Sequence, residues 1–116
     1  MIVYHGTSKK SWEKPLHGER TLYVTNKLWV AESYAQESVW EHEHKGLIDE
    51  PMVIAIDLSR VNGIKIEPDW GAFGVNKNTP WHETAKSYGT FSIRGNIERL
   101  KKMFITKNLT SKKVVI

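Results

Sequence analysis

Cysteine is absent from the chain. That one absence removes a thiolate nucleophile, a sulfur-ligated structural zinc and a disulfide framework, and it makes a reducing, intracellular home the expectation. Nothing resembles a membrane span. Met1 to His5 runs directly into a strand-like segment, with no charged leader, apolar stretch or cleavage site, so a cytoplasmic protein is expected. Three familiar signatures are missing too: a Gly-x-Ser-x-Gly elbow, a Walker loop and a Rossmann glycine fingerprint. A hydrolase triad is left as a residual reading, and any dinucleotide must be held in some other way.

What remains is enough for a core. The 116 residues fit one domain, spanning 1–116, and a hydrophobic share of 40% with 10% aromatics needs neither metal nor staple to fold. The net charge of +4 is compatible with a polyanionic partner without requiring one.

Ile2, Val3 and Tyr4 form a β-favouring run expected to stop at Gly6, leaving His5 at the strand's end. Thr7 to Arg20 reads as loop with room for one helical turn, and Thr21 to Thr25 as a second strand. The period then changes. Leu28, Ala31, Tyr34, Ala35 and Val39 recur at threes and fours, predicting a helix within 26–43, capped by Thr25 or Asn26 and ended by Gly46. Met52 to Leu58 is almost continuously apolar, the pattern of a strand buried on both faces. Ile64 and Ile66 alternate with Lys65 and Glu67 as a half-buried strand does. Gly71 to Pro80 should be a long surface loop. A short helix over 81–88, a strand over 90–97 and two more over 103–106 and 114–116 complete the reading. Strands that mostly follow one another without helical crossovers indicate an α+β fold.

Two motifs carry a resemblance. Tyr4-His5-Gly6-Thr7 on the first strand, followed by Leu22-Tyr23-Val24-Thr25 leading into a helix with Ala31, Tyr34 and Ala35, resembles the front half of an ADP-ribosyltransferase domain. Histidine on the first strand places the likeness with the diphtheria-toxin and poly-ADP-ribose polymerase branch. The resemblance implies two small packed, mainly antiparallel sheets with one main helix, and NAD in the crevice between them. It implies a mono-ADP-ribosyltransferase that moves ADP-ribose from NAD to a macromolecular acceptor, protein or nucleic acid, releases nicotinamide and uses no metal. Small stand-alone members of the class include toxins and phage effectors. By the same likeness His5 would donate to a hydroxyl of the adenosine ribose, and Gly6, with Thr7 beside it, would present backbone groups to the nicotinamide amide. Tyr23 would stack on the nicotinamide ring, Thr25 would line its edge and Tyr34 would lie near it.

The class also needs a carboxylate to offset the positive charge that develops as the nicotinamide bond breaks. The strand on which it is expected opens with Gly89-Thr90-Phe91 and carries no acid there. Glu83, just ahead of that strand, is the first choice, with His5, Tyr23 and Glu83 as the working set. Glu98 beside Arg99 reads as a solvated ion pair, and Glu67 and Asp69 come third.

Other clusters yield less. His42, Glu43 and His44 lie one and two apart, whereas helical metal pairs want three or four, so a solvated helix end is the reading. From Arg94 onward Arg99, Lys101, Lys102, Lys107, Lys112 and Lys113 face the single acid Glu98. That stretch reads as a wet sheet face, or as a guide for nucleic acid, with Trp70 and Trp81 available for base stacking. An RNA 2′-phosphotransferase would want clustered arginines, and the first half of the chain has only Arg20. A non-catalytic module of the same architecture, binding nucleic acid or a protein partner, is the alternative to the enzyme.

Overall fold

The computed structural model describes residues 1–104. Strand β1 (Ile2–Ser8) does not stop at Gly6 but runs two residues past it. Its whole length pairs with β3 (Pro51–Asp57), from Ile2 opposite Asp57 to Ser8 opposite Pro51, so His5 lies mid-strand. Ser8 ends the strand: its hydroxyl accepts the Ser11 N–H at 3.2 Å and caps the short helix α1 (Lys9–Glu13).

Strand β2 (Arg20–Thr25) leads into helix α2 (Leu28–His44), as the change of period predicts. Neither Thr25 nor Asn26 caps the helix. Lys27 stands at that position without a side-chain bond. The Thr25 hydroxyl instead donates to the Gly89 carbonyl at 2.7 Å, and the Asn26 N–H donates to the same oxygen at 3.0 Å. Strand β4 (Lys65–Pro68), helix α3 (Trp81–Tyr88) and strand β5 (Thr90–Gly95) follow, then a short helix α4 (Ile97–Leu100) and a 3-10 turn over Lys101–Met103. The strand expected over 103–106 thus begins in a turn; its residues 105–106 and the one over 114–116 lie outside the described residues. Gly89 ends α3 with φ of 71°, and its N–H returns to the Ala85 carbonyl.

Among the described residues the strands form one five-stranded sheet in the order β3-β1-β2-β5-β4, with all neighbours antiparallel, where two packed sheets were expected. The physical reason is a single junction. β1 and β2 are paired only where Tyr4 meets Thr25, which makes the β3-β1 and β2-β5-β4 halves one sheet. The architecture is α+β, with four short to medium helices among the described residues packed around that sheet.

Alternation sorts the two faces. Val3, Leu22, Val24, Ile54, Ile56, Phe91 and Ile93 point to one side, where Ile97, Leu100 and Phe104 close the main core and Trp12 of α1 and Trp81 of α3 pack against it. On the other side α2 lays Ala31 and Ala35 over Val53, so β3 is buried on both faces as its composition implies. The small side chains matter because the α2 backbone comes down directly onto Gly6. α2 covers β1 and β3, and beyond that cover Tyr23 on β2 stays 48% exposed. Among the described residues no helix is long and apolar enough to cross a membrane.

Candidate functional site

Extending the β1–β2 ladder beyond Tyr4 and Thr25 would set His5 opposite Val24 and Gly6 opposite Tyr23. The pairing ends there, and those same four residues line a cavity of about 400 Å³. A volume of that size is ordinary for a small-molecule site. Thr25 and Tyr4 complete the strand side. Helix α2 supplies Tyr34, Glu37, Ser38 and Glu41, spaced three, four and seven from the tyrosine, which is one stripe of a helix. The neighbouring stripe, Ala31, Ala35 and Val39, is buried, so packing of one stripe aims the other at the cavity. Asp69 and Gly71, just past β4, and Thr90 at the start of β5 close it.

His5 stands at the seam. Its Nδ1 lies 2.7 Å from the Tyr23 carbonyl, so a side chain bonds the β2 backbone where the strand ladder no longer does. A carbonyl only accepts, so Nδ1 carries the proton and the neutral ring keeps Nε2 as an acceptor. This reverses the expected polarity: a ribose hydroxyl would donate to His5. Desolvation lowers the imidazole pKa, opposed in part by the bond to the Tyr23 carbonyl, and the neutral form is favoured. Trp12 lies beside it, with ring centroids 5.8 Å apart.

Of the residues singled out in the sequence, His5, Gly6, Tyr23, Thr25 and Tyr34 meet at this one cavity; Thr7 is buried on its strand and does not line it. The carboxylates divide differently. Glu83 is exposed in the first turn of α3 and is not among the lining residues. Glu98 is paired with Lys101 at 2.8 Å, not with Arg99, and that ion pair together with the Leu16 N–H lowers its pKa. Glu67 is half-buried, sharing a register row with Ser92 and Tyr23. Asp69 alone of the four faces the cavity; its Oδ2 accepts from the Thr90 hydroxyl at 2.9 Å and its Oδ1 from the Gly71 N–H at 2.9 Å. Glu37, Ser38 and Glu41 were not foreseen, although their spacing from Tyr34 was legible.

His42 is not a solvated helix end. It is hydrogen-bonded to Asp49, and the same Nδ1 lies 3.4 Å from the Ser8 hydroxyl. A hydrolytic relay needs the base to meet its two partners through opposite ring nitrogens, so this trio is a tie between α2, β1 and the loop before β3. Among the described residues no group of three or more His, Asp or Glu is placed to hold a metal ion. Burial alone would raise the Asp49 pKa, but bonds from Ser8, the Lys10 N–H, His42 and the Glu50 N–H hold it well below the usual carboxylate range. Because the folded pKa is depressed, the stabilisation is present above the ordinary carboxylate pKa and is lost as pH falls through and below that range. Asp49→Ala should therefore cost on the order of 3 kcal/mol at neutral pH, and less in acid, in urea unfolding at the two pH values.

Comparison with family models finds no match, and comparison with curated proteins and with solved structures finds no significant match either. The functional reading therefore rests on the cavity's own geometry and chemistry.

Proposed function

We propose that the chain is an NAD-dependent mono-ADP-ribosyltransferase acting on a macromolecular acceptor, protein or nucleic acid. One observation carries the reading. Two sequence motifs some twenty residues apart converge on a single cavity at the point where their strands part, bringing His5, Gly6, Tyr23, Thr25 and Tyr34 together. Two half-exposed tyrosines beside a cavity supply flat faces for a nicotinamide ring. Glu37, Glu41 and Asp69 line the same space and, among the described residues, no Lys or Arg does, which suits the cationic nicotinamide riboside half of NAD and leaves the pyrophosphate outside.

In the reaction the bond from the nicotinamide nitrogen to the ribose C1′ breaks, and its electron pair leaves with the now neutral ring. The acceptor's nucleophile forms a bond to C1′ and gives up its proton to solvent. Orientation and charge supply most of the rate. Tyr23 and Tyr34 hold the leaving ring, His5 Nε2 accepts from a ribose hydroxyl, and the Asp69 carboxylate offsets the charge growing on the ribose.

Tryptophan fluorescence tests the binding step, because Trp12 abuts His5. NAD should quench it saturably, and Tyr23→Ala should weaken binding roughly tenfold or more and stop transfer of label from biotinylated NAD. Unchanged labelling by that variant would refute the assignment. A second reading is favoured by Thr90, which lines the cavity on the strand where an acid was expected. It is a binding module of the same architecture, and its signature would be NAD quenching without transfer to any acceptor.

A further inference from the structure

The contacts of Lys101 account for a tryptophan that the reaction itself does not use. Lys101 is only 16% exposed and follows α4. Its ammonium donates to the Trp12 carbonyl at 2.6 Å, to the Glu98 carboxylate at 2.8 Å and to the Lys14 carbonyl at 3.4 Å, which uses all three of its protons. It also lies 4.8 Å from the centre of the Trp12 ring. Glu98 in turn accepts the Leu16 N–H at 3.1 Å. Residues 14–19 have neither helix nor strand of their own, so these bonds fix the path of the chain from Trp12 to Leu16. The Trp12 ring is then held between Phe104, at 6.1 Å, and His5, at 5.8 Å.

We propose that Trp12 and Lys101 are positioning residues for His5: the segment from Ile97 to Phe104, acting through the Lys101 ammonium, sets Trp12 beside the imidazole and locks the tautomer that leaves Nε2 free. His5 has two restraints, the bond from Nδ1 to the Tyr23 carbonyl and the indole alongside. The first fixes which nitrogen holds the proton. The second keeps water off the ring, and without it both Nδ1–H exchange and protonation become easy. Among the described residues, the charged groups on the surrounding elements include Lys101 and Glu98, which offset each other behind Trp12, Lys9, Lys10, Glu13 and Lys14 on and just after α1, and Glu37, Glu41 and Asp69 on the cavity side. Desolvation is the largest influence on His5, and the Trp12 ring lies against the imidazole. This assignment concerns the ring itself; only its consequence for NAD rests on the transferase reading.

Nitrogen-15 NMR of the histidine rings in the full chain, followed between about pH 4 and 8, tests it. In the wild type His5 should titrate below about 6.5 and keep its proton on Nδ1. Lys101→Met should raise that midpoint by about half a unit or more toward the free value and mix the two tautomers, and Trp12→Phe should do the same to a smaller degree. Folded variants, judged by near-UV circular dichroism, that keep the wild-type midpoint and tautomer overturn the proposal. So does a rise that disappears at about 0.5 M salt, since loss of the lysine charge would then explain it. If Lys101→Met does not fold, Lys101→Arg carries the test: it keeps the charge, but a planar guanidinium does not reproduce the three-way ammonium contact, and the midpoint should still rise. The NAD dissociation constant should increase roughly tenfold in the same variants. A wild type that fails to bind NAD refutes the transferase and leaves the NMR result standing.

Discussion

Gly6→Ala should remove most of the protein's stability, and Gly6→Val should prevent folding. A Cβ at position 6 would lie 1.9 Å from the Ala31 carbonyl oxygen, 2.8 Å from its carbon and 3.0 Å from the Ala35 nitrogen. All three are backbone atoms of α2, so no side chain can rotate away, and the helix itself must lift off β1. Conformation is not the issue, for Gly6 is not among the glycines with positive φ. Overpacking costs about 1–3 kcal/mol where side chains can yield; against a rigid helix backbone the cost should be at or above the top of that range. A domain's whole stability is only about 5–15 kcal/mol. With a urea slope of about 1–3 kcal/mol per molar, the unfolding midpoint should fall by one molar or more. A midpoint within a few tenths of a molar of wild type would mean that α2 does not sit on β1 in this way. The damage would reach the cavity as well, because Tyr34, Glu37, Ser38 and Glu41 ride on the same helix.

Gly6 also shows how one residue of a motif can be required for a reason the motif does not state. The resemblance assigns it to ligand contact, and its backbone does line the cavity. The space a side chain would fill, however, belongs to α2. Local pattern could not reveal this, since the contact joins residues 6 and 31, and only the small side chains at Ala31 and Ala35 hint at a close crossing. Where spacing alone decides, the sequence was sufficient. The threes and fours of Leu28 to Val39 describe the buried face of α2, and the apolar run from Met52 to Ile56 describes a strand covered on both sides. The break between β1 and β2 was out of reach. Nothing near Tyr4 or Thr25 marks it, because it depends on how two strands some twenty residues apart in the chain meet in the folded sheet. The network of Ser8, His42 and Asp49 was hidden for the same reason: its members lie 7 to 41 positions apart and meet only when α2 folds back over β1.

The carboxylate is the sharpest case of that limit, and it yields the remaining large prediction. Glu83 precedes β5 in the chain, which made it the best choice by position, yet α3 turns it outward while Asp69 reaches the cavity from the end of β4. Asp69→Asn should therefore lower transfer of ADP-ribose on the order of 10²–10³-fold while NAD binding stays near wild type, since the lost charge matters most when the ribose becomes cationic. The substitution is gentle structurally. The asparagine oxygen can still accept from the Gly71 N–H, and its amide can donate to Thr90, whose hydroxyl reverses from donor to acceptor. Glu83→Gln and Glu67→Gln should be close to wild type in the same single-turnover assay with biotinylated NAD. If Asp69→Asn transfers normally and either glutamine variant is silent, the charge that balances the ribose belongs to a different side chain. The cavity would then have to change shape on binding NAD to bring that residue in, with Glu67, in the same register row as Tyr23, needing the shorter movement along the sheet.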